Sequence, residues 1–356
     1  MVKAKAKNTV RCGIIGCGVI APVHAASYQM QSGVEVAWAC DLVENKARKL
    51  ADKFAIAHVT TDYRQLLAAD DVDCVSICTD HASHSPIAVA ALDAGKHVLC
   101  EKALAANPKG LEAMLAAADR HPKLVFSGVF QHRFDKANRV VKRLVEAGAF
   151  GDLLTAAVHV RCLRTKDYYR GDKWRGTWAE EGGAVLINQA IHFLDSMLWI
   201  TGGAAAACGA YANLTHGDVM ETEDTVAASF RLKRGALATM EATCSSHLPW
   251  EPTLEIHGSA GAVELRGDKV LKVDFADQAV GAKVAAELAG AIDEKKIEAG
   301  QRHYGTTHPE QVRDVIEAIR TGRPPEVTAR SAAHSVRTVF AIYESHRKGK
   351  WMDIVE

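Results

Sequence analysis

The stretch Val10-Arg11-Cys12-Gly13-Ile14-Ile15-Gly16-Cys17-Gly18-Val19-Ile20-Ala21-Pro22-Val23-His24 decides the fold of the first half of the chain. Val10 to Ile15 is a short apolar run that reads as a strand, and a helical pattern begins at about Pro22. Between them lies Gly16-x-Gly18-x-x-Ala21, a G-x-G-x-x-A turn. The first glycine permits the tight turn. The second lets a pyrophosphate approach the backbone, and the small third residue lets helix and strand pack closely. The helix N-terminus adds amide donors and a positive dipole end. Gly16, Gly18, Val19 and Ile20 are therefore the expected phosphate contacts.

Working outward, Val34 to Cys40 reads as the second strand and ends in Asp41. An acidic side chain there can accept both ribose hydroxyls of an adenosine and repels a 2′-phosphate, which favours NAD over NADP. Lys46 and Arg48 weigh the other way, and Asp41 can also be read as a cap for the helix Asn45 to Phe54. The alternation then continues. Asp62 to Ala69 is a helix, and Val72 to Cys78 is a strand followed by Thr79-Asp80-His81. Ser85 to Ala94 is a helix with Ser85 as N-cap and Pro86 at its first position. His97 to Cys100 is a strand ending in Glu101-Lys102, Asn107 caps a helix to about Arg120, and Lys123 to Val129 is a further strand. Strands alternating with helices mean a parallel sheet with right-handed crossovers, and ligands bind at the carboxyl ends of its strands. Gly16, Gly18, Asp41, Thr79, His81, His84, Glu101 and Lys102 all fall at such ends.

The bulk properties narrow the function. The 356 residues suffice for two domains. Lys+Arg and Asp+Glu both number 43 and neither half is strongly basic, so nucleic acid is not an expected partner. Aliphatic runs stay short of the roughly 18 residues that a membrane span needs. Met1 to Asn8 has three lysines but no apolar core, and reads as a frayed tail rather than a secretory signal. The nine cysteines are an odd count and mostly sit in apolar strand-like runs, as reduced thiols of the cytoplasm do. Cys74 and Cys78 have no second cluster, so no metal site is expected.

A second decisive stretch is Glu181-Gly182-Gly183-Ala184-Val185-Leu186-Ile187-Asn188-Gln189-Ala190-Ile191-His192-Phe193-Leu194-Asp195. It reads as a helix to about Ile200, stopped by Thr201-Gly202-Gly203. Asn188, His192 and Asp195 are spaced i, i+4 and i+7 and share a face of an otherwise apolar helix. Such a polar stripe must find partners or water. Around it, Lys136 to Ala147 is a helix closed by Gly148, and Leu153 to Leu163 is a strand. Arg164 to Trp178 is a loop rich in aromatic and basic residues, suited to sugar and anion contacts or to plain packing. Strands follow at Ala207–Leu214, Asp224–Leu232, Ala236–Cys244, Thr253–His257, Ala262–Leu265 and Lys269–Val273, with a hairpin turn at Gly258-Ser259-Ala260-Gly261. Short turns make this sheet largely antiparallel. One face should bury under the helices of residues 136–147 and 187–200, leaving the other open. Val280 to Ala299 reads as a charged amphipathic helix.

With these pieces in place, the chain resembles a Gfo/Idh/MocA-type oxidoreductase over nearly its whole length. The segments that carry the resemblance are GIIGCGVIAPVH (13–24), the block Cys78 to His84, AALDAGKHVLCEKALA (90–105), GVFQHRFDKANRVVKRLVEAGAFGDLL (128–154), GGAVLINQAIHFLD (182–195), HPEQVRDVIEAIRTGRPPEV (308–327) and SVRTVFAIYESHRKGK (335–350). The resemblance implies an α/β fold. An N-terminal Rossmann doubly wound parallel sheet occupies residues 1–130, and a C-terminal α+β domain with a large mostly antiparallel sheet occupies residues 131–356. It also implies NAD(P)-dependent oxidation of sugars, polyols and related compounds, and a homo-oligomer, dimer or tetramer, paired through open sheet faces. Two departures stand out. The family usually has Glu-Lys-Pro, often with a cis bond, where this chain has Ala103. It commonly has Asp four residues before the catalytic His, where this chain has Asn188. The Asn-Gln-x-x-His form, with Tyr168-Tyr169 and Trp174-Arg175 ahead of it, is similar to the subset that oxidises UDP-N-acetylated hexosaminuronates.

Hydride transfer needs a bound nicotinamide, a secondary alcohol and a base for the hydroxyl proton. The expected base is His192, with Lys102 polarising or deprotonating the same oxygen and Asn188 orienting substrate or imidazole. Arg133, Tyr168, Tyr169, Trp174, Arg175, Asn188 and Gln189 are the expected sugar contacts, together with Lys102 and His192. His132 and Gln131 are weaker candidates, His24 reads as a packing residue, and Asp195 either pairs with the second imidazole nitrogen or caps locally. A non-catalytic NAD- and sugar-sensing regulator would use the same fold, but it has no need of both Lys102 and His192.

Overall fold

The computed structural model describes residues 9–267, 269–288 and 306–355. The chain divides into two compact units: Met1–Ala105 with Lys109–Val129 and Gly300–Arg330, and Ala106–Pro108 with Phe130–Ala299 and Ser331–Glu356.

The first unit runs β1 (Val10–Ile15), α1 (Ala21–Gln29), β2 (Val34–Cys40), α2 (Glu44–Phe54), β3 (His58–Thr60), α3 (Tyr63–Ala68), β4 (Cys74–Ile77), α4 (His81–Asp93), β5 (His97–Cys100), α5 (Pro108–Arg120) and β6 (Phe126–Gly128). The strands form one sheet in the order β3-β2-β1-β4-β5-β6, with every neighbouring pair parallel. The chain reverses its direction of advance between β1 and β4, so the crevice at their carboxyl ends is the binding point that this topology offers. Cys12, Cys74, Cys78 and Cys100 are buried free thiols that pack as small hydrophobes. α4 starts earlier than expected. Asp80, not Ser85, caps it by accepting from Ser83 N at 3.0 Å, and Pro86 lies inside the helix. A carboxylate is well suited to receive the N-terminal amides, and the Ser85 hydroxyl instead donates to Gly110 O at 2.9 Å.

The second unit contains a 3-10 turn at Gln131–Phe134, α6 (Lys136–Glu146), β7 (Leu153–Arg161), α7 (Lys166–Gly171), a π-helical turn at Val185–Ala190, α8 (Ile191–Thr201), β8 (Ala204–Ala212), β9 (Thr225–Leu232), β10 (Leu237–Thr243), β11 (Thr253–Gly258), β12 (Gly261–Arg266), β13 (Lys269–Phe275) and α9 (Gln278–Leu288). The chain then supplies α10 (His308–Thr321), α11 (Ala329–Lys348) and β14 (Met352–Asp353). The second sheet has eight strands in the order β13-β12-β11-β7-β10-β9-β8-β14, parallel only between β7 and β10. Its strands alternate as a one-sided sheet must. Ala156, Val158, Val160, Met240 and Phe230 are buried, while Thr155, Thr239, Glu241 and Arg231 are exposed on the other face. The stretch Arg164 to Trp178 is not all loop, since α7 forms within it. Of the helix expected over Val280 to Ala299, only the part up to Leu288 falls within the described residues, and Met1 to Asn8 lies outside them.

Helix α10 belongs to the first unit, although the sequence reading ended that unit at residue 130. Val312, Val315, Ile316 and Ala318 join the same core cluster as Ala21, Ala25 and Tyr28 of α1. Gln311 Nε2 donates to Gly128 O at 2.8 Å, and Arg320 Nη2 donates to Ser32 O and Gly33 O at 2.7 and 2.9 Å. Among the described residues no helix is long and apolar enough to cross a membrane.

Candidate functional site

In the first unit the glycine turn is shaped as its motif demands. Gly16 has φ +91°, and a Cβ there would lie 2.6 Å from the backbone carbon and oxygen of Cys78. Only glycine fits where the loops after β1 and β4 come this close. A Cβ on Gly18 would meet no heavy atom within 4 Å, so open space faces this turn. Asp41 fastens the turn to the end of β2: Cys17 N donates to its Oδ2 and Val43 N to its Oδ1, both at 2.8 Å. Each oxygen keeps acceptor capacity for a ribose hydroxyl. The open turn and the acceptor capacity left on Asp41 fit a dinucleotide.

The other residues expected near the cofactor divide. His81 and His84 sit inside α4 and are buried, rather than in a loop. Burial lowers the His84 imidazole below its ordinary range. A neutral ring has one N–H to give, and the shorter contact is Nδ1 to Ala103 O at 2.7 Å, with Nε2 at 3.2 Å from Thr79 O. His84 thus ties the turn after β5 to the turn after β4. The Lys102–Ala103 peptide bond is cis. Glu101 is 6% exposed and turns inward: Oε1 lies 2.8 Å from His24 Nε2, and Oε2 accepts from Lys102 N at 3.1 Å. Lys102 is half-buried at the end of the same strand.

In the second unit the stretch beginning at Glu181 is organised by two buried carboxylates. Glu181 accepts from Asn188 Nδ2 on one oxygen and from Gly176 N on the other. Glu223 accepts from Ala184 N, Leu186 N and Tyr343 Oη at 3.0, 3.0 and 2.8 Å. It therefore receives the amides at the start of the π-helical turn. Burial pushes the Glu223 carboxyl up to about 7, against the pull of these donors. The turn leads into α8, which carries His192. That imidazole packs edge-on against Phe130 and His132, with ring centroids 5.9 and 5.5 Å apart. His132 is itself fixed by Asp135, whose Oδ2 lies 2.6 Å from Nδ1.

Asp195 neither pairs with the imidazole nor caps the helix. It forms a buried fork with Arg133, Nε to Oδ2 at 2.8 Å and Nη2 to Oδ1 at 2.6 Å, and accepts from Ser335 Oγ at 2.6 Å. Arg133 also donates to Ser331 Oγ and O, which leaves the expected sugar contact committed to holding its own unit together. Tyr169 is likewise 4% exposed with its hydroxyl 3.1 Å from Cys244 Sγ, a packing position. Tyr168, Arg175, Trp174 and Gln189 do come together. The Arg175 guanidinium lies 4.1 Å from the Tyr168 ring and 4.7 Å from the Trp174 ring, and Gln189 Nε2 donates to Tyr168 Oη at 3.1 Å.

Sequence reading missed Arg164, which stands over the Tyr168 ring at 5.3 Å and donates to Gln189 Oε1 at 2.6 Å. Its carbonyl faces His216 Nε2 at 2.9 Å, and His216 Nδ1 is 3.2 Å from Asp224 Oδ2. Burial would raise Asp224, but the amides of Leu214 and Thr215, His216 and the Thr225 hydroxyl hold it well below the usual carboxylate range. The run Glu223-Asp224, two adjacent acids before an apolar strand, was the available signal for both anchors.

Family models match almost the whole chain: residues 10–129 match the Gfo/Idh/MocA oxidoreductase family's NAD-binding Rossmann fold, and residues 142–354 match that family's C-terminal alpha/beta domain. The chain belongs to the Gfo/Idh/MocA family. This NAD-binding oxidoreductase is 23% identical to myo-inositol 2-dehydrogenase of Thermotoga maritima, over 94% of the chain and 96% of that protein. It is 26% identical to levoglucosan dehydrogenase of Pseudarthrobacter phenanthrenivorans, over 86% of each. Among solved structures it resembles the WlbA dehydrogenase from Bordetella pertussis, in complex with NADH and UDP-GlcNAcA. That match has a TM-score of 0.89, 25% identity, and covers 99% of this chain and 100% of that one.

Proposed function

We propose that this Gfo/Idh/MocA oxidoreductase is an NAD-dependent dehydrogenase that removes hydride from a secondary alcohol of a sugar, nucleotide sugar or polyol. The observation that carries the reading is His192, an imidazole held by aromatic neighbours on a helix whose start is fixed by Glu181 and Glu223. The nicotinamide, when bound, supplies the hydride acceptor. His192 takes the hydroxyl proton, and Lys102 polarises the same oxygen. Asn188, anchored by Glu181, orients substrate. Tyr168, Trp174, Arg175 and Gln189, with Arg164 added, receive the sugar. Two guanidinium groups against one tyrosine ring favour a substrate with an anionic group, and the relatives include a myo-inositol 2-dehydrogenase, a levoglucosan dehydrogenase and a dehydrogenase solved in complex with NADH and UDP-GlcNAcA. The exposed face of the second sheet, with small residues such as Ala227 and Ser229 beside the Arg161–Glu241 pair, suits a second copy of the chain, dimer or tetramer. Nine unpaired thiols suit the cytoplasm.

The test is NADH formation from NAD across UDP-hexosaminuronates, free sugars, sugar acids and inositols. Steady turnover on one of them is expected, with kcat falling by at least about a thousandfold in His192→Ala and Lys102→Ala. Near-normal turnover in both folded variants would overturn the assignment. Tight NAD binding without turnover on any of these substrates would favour a sensor.

A further inference from the structure

His24 is 1% exposed and has a polar partner on each ring nitrogen. Nε2 lies 2.8 Å from Glu101 Oε1, and Nδ1 lies 3.0 Å from Ser76 Oγ, which is 2.9 Å from Tyr28 Oη. An ionised carboxylate can only accept, so the imidazole donates to Glu101 from Nε2, while Nδ1, Ser76 and Tyr28 continue the hydrogen-bonded run behind it. These hydrogen bonds run through α1 and β4 to the end of β5. The other oxygen of Glu101 holds the main-chain N–H of Lys102. His308, at the start of α10 and 4% exposed, packs edge-on against His24 with ring centroids 6.0 Å apart. A residue only needed for packing requires no such chain, and an apolar side chain would fill the space without the cost of burying polar groups.

We propose that His24 is a positioning residue for Lys102, acting through Glu101, with His308 of the returning segment completing the grip. The helix that follows the pyrophosphate turn thereby sets the place of the lysine that acts on the substrate oxygen. The inference rests on the reading of Lys102 given above. The groups facing Glu101 are His24 from α1, His308 from α10, Lys102 beside it, His84 from α4 and the thiols of Cys78 and Cys100. Burial alone would raise this carboxyl. The His24 hydrogen bond and the charges of His24, His308 and Lys102 outweigh burial and hold it at about 2.

The experiment compares His24→Ala, His24→Gln and Glu101→Gln in the full chain, each checked for melting temperature and for NAD affinity by fluorescence titration. His24→Ala is expected to lower kcat by about ten- to a hundredfold, the cost of a catalytic group displaced by about an ångström, with KM for NAD changed by less than about threefold. His24→Gln, which keeps a donor for Glu101, should recover most of that loss. Glu101→Gln removes a negative charge beside Lys102 and should move the limb of the kcat–pH profile belonging to that amine toward acid. Labelling of Lys102 by a small amine-reactive reagent, read by mass spectrometry, should change severalfold in His24→Ala and Glu101→Gln, and this readout needs no substrate. A folded His24→Ala with unchanged kcat and labelling would overturn the inference while leaving the dehydrogenase intact. So would parallel loss of NAD affinity and kcat without rescue by Gln. If His24→Ala does not fold, His24→Gln and Glu101→Gln decide. Turnover that survives Lys102→Ala would remove the reading of Lys102 and this inference with it.

Discussion

Gly16 and Gly18 are two positions apart and are required for different reasons. At Gly16 a side chain collides with the Cys78 backbone at a positive φ, whereas at Gly18 it would enter open space. Gly16→Ala is expected to cost about 1–3 kcal/mol in urea unfolding through backbone strain. Gly18→Ala should leave stability within about 0.5 kcal/mol while weakening NAD binding by at least about tenfold, measured by titration. Both glycines were legible because the motif is local: strand, turn and helix are continuous in sequence. His24, Glu101 and His84 were legible only as residue types. Their partners lie far off in sequence, Ser76 and Glu101 for His24 and Ala103 for His84. Spacing says nothing about such pairs.

Helix α8 shows the same limit one level up. The polar stripe Asn188, His192, Asp195 was visible, and so was the need to satisfy it. The sequence left the π-helical turn at Val185–Ala190 unannounced, because α and π turns draw on the same apolar residues. It could not show that Asp195 goes to Arg133, which precedes α6. That fork joins the Gln131–Phe134 turn to α8, and Ser331 and Ser335 tie it to α11. Removing one charge leaves the other buried and unpaired. Asp195→Ala should therefore cost about 3–5 kcal/mol by urea unfolding. The double variant Arg133→Met/Asp195→Leu should recover much of the loss, because two apolar side chains leave no stranded charge.

Over the whole molecule, two buried glutamates pull the pH dependence of stability in opposite directions. Glu101 is held at about 2, below its ordinary 4.5, so its contribution is present above about 4.5 and is lost as pH falls through 2. Glu223 is raised to about 7, so the folded state holds a proton that the unfolded chain releases, and its contribution is present below about 4.5 and lost as pH rises through 7. Each shift corresponds to about 3 kcal/mol. Glu223→Gln should therefore gain on the unsubstituted protein as urea unfolding is moved from pH 5.5 to pH 8.5, and an unchanged difference would contradict the assignment. The two sheets followed from βα alternation and short turns, but their strand order and the membership of α10 in the first unit did not, since order along the chain is not order in space. That membership has a temporal consequence. The α1 surface that receives Val312, Val315 and Ile316 is translated early, and its cover is complete only about 190 residues after β6, the last strand of the first sheet. At ribosomal speeds of about 5–20 residues per second, the nascent nucleotide-binding half spends on the order of ten to forty seconds with an apolar flank exposed, and that interval is when chaperones have most to do.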